Sequence, residues 1–186
     1  MRRKALVITV ILAVLSVLAA AGPAADGGVR AQEADPGPAR VLVFTKTAGF
    51  RHASIGTAQR VLPELAKEYG FEVTITEDAS VFNDDTLAQY DVVAFVLTTG
   101  DVLGPAQEAA MERFIRGGGG FVGVHSASDT EYSWPFYGGL VGAYFAGHPP
   151  GTQTARVIVE DRAHPSTRPF GDEWIVEDEW YFFQEN

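Results

Sequence analysis

Polar side chains that could do chemistry gather at a few points of the sequence. The most informative point is GGGGFVGVHSASD, residues 117–129, where an apolar run ends at His125. A histidine at the end of a buried strand loses hydration, so it needs a hydrogen-bond partner or a metal ion. The small residues around it, in the pattern GxHxA, favour a sharp turn that projects the ring into a crevice. A hydrogen-bonded histidine in the core is the alternative.

Two other polar loops are predicted to meet the loop that contains His125. One is KTAGFRHAS, residues 46–54, and the other spans residues 98–104; each follows an apolar run. Loops that leave the same edge of a parallel sheet converge there, so the sequence predicts one shared site. The polar residues of the three loops are Lys46, Arg51, His52, Thr99, Asp101, His125, Ser126, Ser128 and Asp129. Each has an ordinary structural alternative when taken singly, such as Asp101 capping the next helix.

The elements that must position these loops follow from hydrophobic periodicity. Four short, mostly apolar runs predict strands at residues 41–45, 71–76, 91–98 and 121–124. Helical spacing predicts helices from Ile55 to Tyr69, from Pro105 to Gly117, and from Tyr137 to Phe145. Pro63 should either kink the first helix or delay its start. A further strand is predicted at residues 155–160. The expected fold is a three-layer, flavodoxin-like α/β domain with parallel strand order 2-1-3-4.

The first 31 residues are predicted to be a secretory signal peptide. Arg2, Arg3 and Lys4 precede an uncharged run that ends at Ala21, and Val29 and Ala31 suit signal peptidase. An uncleaved membrane anchor is the alternative, because a run of this length lies at the short limit for a spanning helix. Residues 32–40 are then a flexible leader, and residues 41–186 form one domain that is secreted or extracytoplasmic.

The composition of this mature part limits its partners. It has 10 Lys and Arg residues against 23 Asp and Glu residues, a net charge of −13. Such a surface repels phosphate backbones and anionic lipids, so neither a nucleic acid nor, after signal removal, a membrane is expected as a partner. The sequence contains no cysteine, which excludes disulfides and thiol nucleophiles. The oligomeric state is left open.

Five segments together resemble the ThuA-like, or trehalose-utilisation, domain of the class I glutamine-amidotransferase-like superfamily. They are VLVFTKTAGFRHASI, EDASVFNDDTLAQYDVVAFVLTTGDVL, GGGGFVGVHSASDTEYSWPFYGGLVGAYFAGHP, DRAHPST and DEWYFF, in consistent order from about residue 40 to 186. The resemblance implies a role in carbohydrate metabolism. It also implies that the family's closing strands are missing here, in line with the end of the chain at Asn186, three residues after WYFF. His125 stands where the amidotransferases have a nucleophilic cysteine, so glutaminase chemistry is excluded.

Acid/base chemistry on a keto-sugar or disaccharide is the first functional hypothesis. Such chemistry needs a base for a carbon-bound proton and an electrophile for the enediolate oxygen. His125 is predicted as the base, His52 or Arg51 as the electrophile, and Asp129 or Glu179 as a second proton carrier. The substrate-binding candidates are Lys46, Arg51, Thr99, Asp101, Ser126 and Trp134. His148 could join His125 and Glu179 around a divalent metal such as zinc or manganese, although their spacing matches no recognised metal signature.

Two other functions remain open at this stage. Aromatic residues such as Trp134 could stack on sugar rings, which favours a non-catalytic carbohydrate-binding or scaffolding module of a secreted protein. The third hypothesis is an inactive, truncated product, which would lack a cooperative thermal transition.

Overall fold

The computed structural model describes residues 37–184. The predicted signal peptide and residues 32–36 of the predicted leader lie outside these residues. The strands are β1 (Arg40–Phe44), β2 (Glu72–Thr76), β3 (Val92–Val96), β4 (Gly120–Val124), β5 (Phe145–Gly147), β6 (Gln153–Ile158), β7 (Glu173–Asp178) and β8 (Phe182–Phe183). The helices are α1 (Ile55–Tyr69), α2 (Asp84–Leu87), α3 (Pro105–Arg116) and α4 (Pro135–Val141), with 3₁₀ turns at Ala79–Val81 and His125–Asp129.

The first four strands form one parallel sheet in the order β2-β1-β3-β4. This is the predicted order, and it confirms the flavodoxin-like α/β fold class. All five residues of β3 are buried, as expected of a central strand that is covered on both faces. The order reverses between β1 and β3, so the loops that follow these two strands open a crevice at the carboxyl edge of the sheet.

Two hydrophobic cores, one on each face of the sheet, make the fold three-layered. On one face Leu62 and Leu65 of α1 pack with Val43. On the other face Met111 of α3 and Tyr137 of α4 pack with side chains of the central strands. Burial of each such side chain contributes about 1.5–3 kcal/mol relative to exposure, so the two helical layers hold the sheet from both sides.

Helix α1 runs through Pro63 and ends where the sequence predicts. Pro63 is exposed, so the missing hydrogen bond lies on the solvent side and the buried stripe of the helix is continuous. Gly70 takes a left-handed conformation with φ 74° and donates its N–H to the carbonyl oxygen of Ala66 at 2.9 Å. This is the usual glycine-terminated helix end.

The predicted helix from Tyr137 to Phe145 is wrong in its second half. Helix α4 ends at Val141, because Gly142 leaves the helical region with φ 90°. Phe145 instead begins β5, which pairs in antiparallel fashion with β8. Strand β6 pairs with β7 to form a second antiparallel ribbon, and this pairing was not predicted.

None of the helices between residues 37 and 184 is both long and apolar enough to span a bilayer.

Candidate functional site

His125 lies at a tight turn directly after β4. Its φ is 54°, in the left-handed region that few non-glycine residues adopt, although histidine is among the more tolerant. A Cβ atom on Gly123 would lie 3.2 Å from the Cβ of Ala127, so the small residues predicted to allow the turn are needed for it. Ser126, Ala127 and Ser128 are buried beneath the turn, which leaves the half-buried imidazole of His125 at the surface of the crevice.

The β1–α1 loop brings His52 to the same place. The N–H groups of Ala48 and Gly49 donate to the carbonyl oxygen of Thr99 at 2.7 and 3.2 Å. The Thr99 hydroxyl in turn donates to the carbonyl oxygen of Phe50 at 2.8 Å. Thr99, a predicted substrate-binding residue, is fully buried and holds the loop that carries His52.

The segment between β7 and β8 brings Glu179 and Tyr181 to these histidines. The indole N–H of Trp180 donates to the carbonyl oxygen of Gln153 at 2.7 Å, which fixes the start of the segment on β6. The ring of Tyr181 packs on Phe145 of β5 with centroids 4.3 Å apart. Pairing of β8 with β5 therefore places residues 179 and 181 over the turn at His125.

The resulting cluster has its polar atoms within hydrogen-bond or ligand distance of one another. The Nε2 atom of His125 lies 2.9 Å from the Tyr181 hydroxyl, 3.2 Å from Nε2 of His52 and 3.2 Å from Oε2 of Glu179. On the other side of the carboxylate, Nε2 of His148 lies 3.4 Å from Oε1 of Glu179. His52, His125 and Glu179 side chains are 15%, 24% and 25% exposed, so the cluster is partly shielded but accessible.

Burial shifts the pKa values of two members of the cluster, His125 and Tyr181. Desolvation, followed by the neighbouring His52, lowers the pKa of His125, and the charges of Glu179 and Asp178 offset part of this effect. His125 is therefore neutral at pH 7. Burial raises the pKa of Tyr181, and the negative charge of Glu179 raises it further, so this phenol keeps its proton.

Some predicted site residues have structural partners. The guanidinium of Arg51 forms a bidentate ion pair with Glu77 at 2.7 and 3.1 Å. Lys46 donates to the carbonyl oxygen of Val102 at 3.0 Å, which ties the first loop to the second. Asp129 accepts a hydrogen bond from the Tyr132 hydroxyl at 2.6 Å.

The other predicted substrate-binding residues differ in position. Ser126 is buried, with Oγ 3.4 Å from Nδ1 of His52, so it touches the cluster from below. Asp101 is exposed, and the N-cap of the following helix is Gly104, so Asp101 does not cap it. Trp134 is only 8% exposed and stacks on Tyr137 inside the core, so its ring is not presented to a sugar.

Sequence reasoning missed Tyr181 as a member of the site. In an extended segment, residues two apart project to the same face, so the choice of Glu179 could have led to Tyr181. The reasoning also missed the fully buried carboxyl of Glu131, which supports the loop after β3. No local pattern separates this glutamate from the exposed acids around it.

The fold and the site together define a class: an open parallel α/β domain of flavodoxin type with a histidine at its elbow. The family model ThuA, described as trehalose utilisation, matches residues 40–186, and the chain belongs to this family. The family suggests a role in carbohydrate metabolism. None of the curated proteins searched matches the chain.

Two solved structures share this fold. A ThuA-like protein from Bacteroides uniformis is 26% identical, with a TM-score of 0.68 over 84% of this chain and 65% of its own. A ThuA-like protein from Parabacteroides merdae is 18% identical, with a TM-score of 0.60 over 77% of this chain and 62% of its own, and this likeness concerns the fold alone. The chain thus spans less than two thirds of the length of these two proteins.

Proposed function

We propose that the chain acts on a keto-sugar or keto-disaccharide by moving a proton next to its carbonyl group. One observation carries the proposal: His52, His125, Glu179 and Tyr181 converge at the carboxyl edge of the sheet, where this fold class binds ligands. Membership of a trehalose-utilisation family supports a sugar as the ligand.

The two histidines and the tyrosine supply the electrophilic side of the reaction. When a base removes the proton from the carbon beside a ketone, negative charge develops on the carbonyl oxygen. The hydroxyl of Tyr181 keeps its proton, so it can donate a hydrogen bond to that oxygen. His52 and His125 lie on the same side of the site and complete this region.

Glu179 and His148 supply the proton-transfer side. Nδ1 of His148 lies 2.8 Å from the carbonyl oxygen of Pro149, which only accepts, so Nδ1 carries a proton. Nε2 then faces Oε1 of Glu179 and is the atom that exchanges a proton with it. The substrate C–H bond breaks, its proton passes to Glu179, and its electron pair forms the enediolate. For isomerisation, Glu179 returns the proton to the former carbonyl carbon while the proton of the neighbouring hydroxyl moves to the former carbonyl oxygen. For elimination, the carbonyl group re-forms, and the group on the next carbon leaves with its bonding electron pair and takes the proton held by Glu179.

A cleft beside the cluster suits one sugar ring. Its volume is about 290 Å³, and it is lined by His125, Ser128, Val141 and Phe183 among others. This volume lies just below the usual range of about 300–1,000 Å³ for small-molecule sites. Phe183, 55% exposed, offers the aromatic surface that Trp134 does not.

The test follows the proton rather than the product. The protein is incubated with a 3-keto-disaccharide in deuterated buffer, and loss of the proton beside the ketone is followed by NMR. The wild type should exchange this proton faster than buffer does, and Glu179→Gln should exchange it at least about 100-fold more slowly, because the amide cannot accept the proton.

A matched control is Glu173→Gln, which removes only a surface ion pair with Arg156 and should exchange like the wild type. The exposed ring of Phe183 also favours the binding-only alternative. Sugar binding by calorimetry without any exchange would support that alternative, and a wild type that neither binds nor exchanges would refute both.

We further propose that the mature chain acts outside the cytoplasm on a small sugar or glycan and binds no nucleic acid or membrane. The predicted signal peptide and the net charge of −13 support this setting.

A further inference from the structure

Three side chains of the site form a triangle of possible metal ligands. Nε2 of His52 and Nε2 of His125 are 3.2 Å apart, Nε2 of His125 and Oε2 of Glu179 are 3.2 Å apart, and the third side measures 3.7 Å. Zinc binds nitrogen and oxygen ligands at about 2.0–2.2 Å in tetrahedral geometry, which places any two ligand atoms roughly 3.3–3.6 Å apart. The three separations lie within about 0.1 Å of this range, so small movements of the side chains would place all three atoms around one ion.

Hydrogen bonding alone does not account for this triangle. Nε2 of His125 has three polar neighbours, the nearest being the Tyr181 hydroxyl at 2.9 Å. An imidazole nitrogen has one hydrogen or one lone pair, so it makes one good hydrogen bond in either tautomer. A cation held by His52, His125 and Glu179 explains why two further polar atoms lie so close to this nitrogen.

The surrounding contacts are those that a ligand set needs. Nδ1 of His52 faces the Ser126 hydroxyl at 3.4 Å, so the outer nitrogen of this ring has a partner while Nε2 points into the site. Oε1 of Glu179 faces His148, which leaves Oε2 for the ion. His148 is thus placed beside the carboxylate and outside the triangle, unlike the sequence expectation that made it a ligand in place of His52.

We propose that His52, His125 and Glu179 bind one divalent first-row transition metal ion, of which zinc is the representative. Two imidazoles and one carboxylate suit such ions, whereas Mg²⁺ and Ca²⁺ prefer oxygen ligands. Three protein ligands leave one coordination position open, as in catalytic zinc sites. Binding of the ion does not depend on the sugar chemistry proposed above.

The role of the ion rests on the proposed function. The carbonyl oxygen of the keto-sugar would bind at the open position of the ion and be polarised there, the task given above to the two histidines. Oε1 of Glu179 and Nε2 of His148 stay available for the proton, because neither atom belongs to the triangle.

The experiment measures binding directly. The full chain is freed of metal with a chelator and titrated by calorimetry with Zn²⁺ and, separately, with Mg²⁺. The wild type should bind one equivalent of Zn²⁺ and no Mg²⁺. His52→Ala and Glu179→Gln should each weaken Zn²⁺ binding more than about 100-fold, since even residues that only support ligands cost 10–100-fold. Co²⁺ should give the intense visible absorption of a four-coordinate ion in the wild type only.

Two histidine controls sharpen the test. His164→Ala removes an exposed ring bonded to Ser166 and should not change binding, and His148→Ala should keep the one-to-one stoichiometry. Circular dichroism establishes that each variant is folded, and His52→Gln replaces His52→Ala if the latter is not. Absence of Zn²⁺ binding in the wild type, or binding that survives loss of His52 and Glu179, overturns the proposal.

The outcomes separate this proposal from the proposed function. Zinc binding without proton exchange in the sugar supports the metal site and refutes the proposed proton-transfer activity. Proton exchange that persists after chelation, in a protein that binds no Zn²⁺, supports the proposed activity and refutes the metal site.

Discussion

His125 combines a strained backbone with a crowded side chain. A left-handed conformation costs a residue with a Cβ atom about 1–2 kcal/mol, and the turn keeps it at φ 54°. Packing of its ring on Tyr181, with centroids 4.5 Å apart, helps to hold it there. Such strain is typical of functional sites, where the surrounding structure holds a residue in a conformation that it rarely adopts.

Glu131 is a second unusual residue, and its task is structural. Its Oε1 accepts hydrogen bonds from the N–H groups of Val102 and Leu103 at 2.8 and 2.7 Å. Its Oε2 is buried without a partner in the part of the chain that the structure describes. Desolvation raises the pKa of Glu131, the two hydrogen bonds lower it, and the charges of Glu108 and Asp101 raise it further, so the pKa lies above its usual value. The two hydrogen bonds to Oε1 therefore fix the loop after β3. Burial of the ionised carboxylate, however, lowers the free energy of unfolding.

Glu131→Gln should change how stability depends on pH. Because the folded-state pKa is raised, the unfolded chain loses this proton first as pH rises above about 4.3, the usual glutamate value. The wild type then loses free energy of unfolding, by up to about 1.4 kcal/mol per pH unit, until pH exceeds the folded-state pKa. The amide does not titrate, so the variant lacks this effect. Urea denaturation at increasing pH should show the free energy of unfolding of Glu131→Gln rising relative to that of the wild type.

The control for this prediction is Glu112→Gln, which affects an exposed pair with Arg116. It should stay within about 0.5 kcal/mol of the wild type across the same pH range. A difference between Glu131→Gln and the wild type that does not vary with pH would contradict the buried, raised-pKa carboxyl.

At the scale of elements, the site depends on close contact between the loops after β1 and β3. Gly100 has φ 72°, and a Cβ atom there would lie 3.1 Å from the backbone nitrogen of Gly49 and 3.2 Å from the Cβ of Ala48. The same loop bridges to Thr130 in the turn after β4. One glycine thus lets three loops approach one another.

Gly100→Ala should therefore be more damaging than the same change at another left-handed glycine. The matched control is Gly70→Ala, with φ 74° and no heavy atom within 4 Å of the new Cβ, which should cost about 1–2 kcal/mol. Gly100→Ala adds a steric clash and should cost about 2–4 kcal/mol in chemical denaturation. Equal losses at both positions would show that the loops are not closely packed.

At the scale of the whole molecule, the site joins two parts of the fold. The parallel sheet carries His52 and His125 on its loops, and the antiparallel pair β5–β8 flanks the segment with Glu179 and Tyr181. Neither part has the complete cluster. Formation of the site is therefore a result of packing these parts together.

The whole chain is also expected to mature by cleavage. Expressed from Met1 in an exporting bacterial host, it should yield a product that begins at Gln32, because Val29 and Ala31 offer small side chains to signal peptidase. Intact-mass spectrometry measures this directly. Ala31→Trp should retain the signal peptide. A wild type that still begins at Met1 and is found in the membrane fraction would indicate an anchor instead.

Local patterns in the sequence were enough to predict the parallel sheet. The buried runs of β1 and β3, the stripe of α1 and the terminating Gly70 are features of neighbouring residues, and the structure confirms each of them. The helix extended to Phe145 is wrong because the conformation of Gly142 and the pairing of β5 with β8 override its periodicity.

The sequence by itself determined which residue types could do chemistry and which elements carry His52 and His125, because periodicity and turn residues act over short distances. The sequence hypotheses named Glu179 and His148 as companions of His125, but only the tertiary structure decided how these groups are arranged, that Tyr181 joins them and that Arg51 pairs with Glu77. Those choices depend on strand pairing and on turn angles, since small changes in either would separate side chains that now lie 3–4 Å apart.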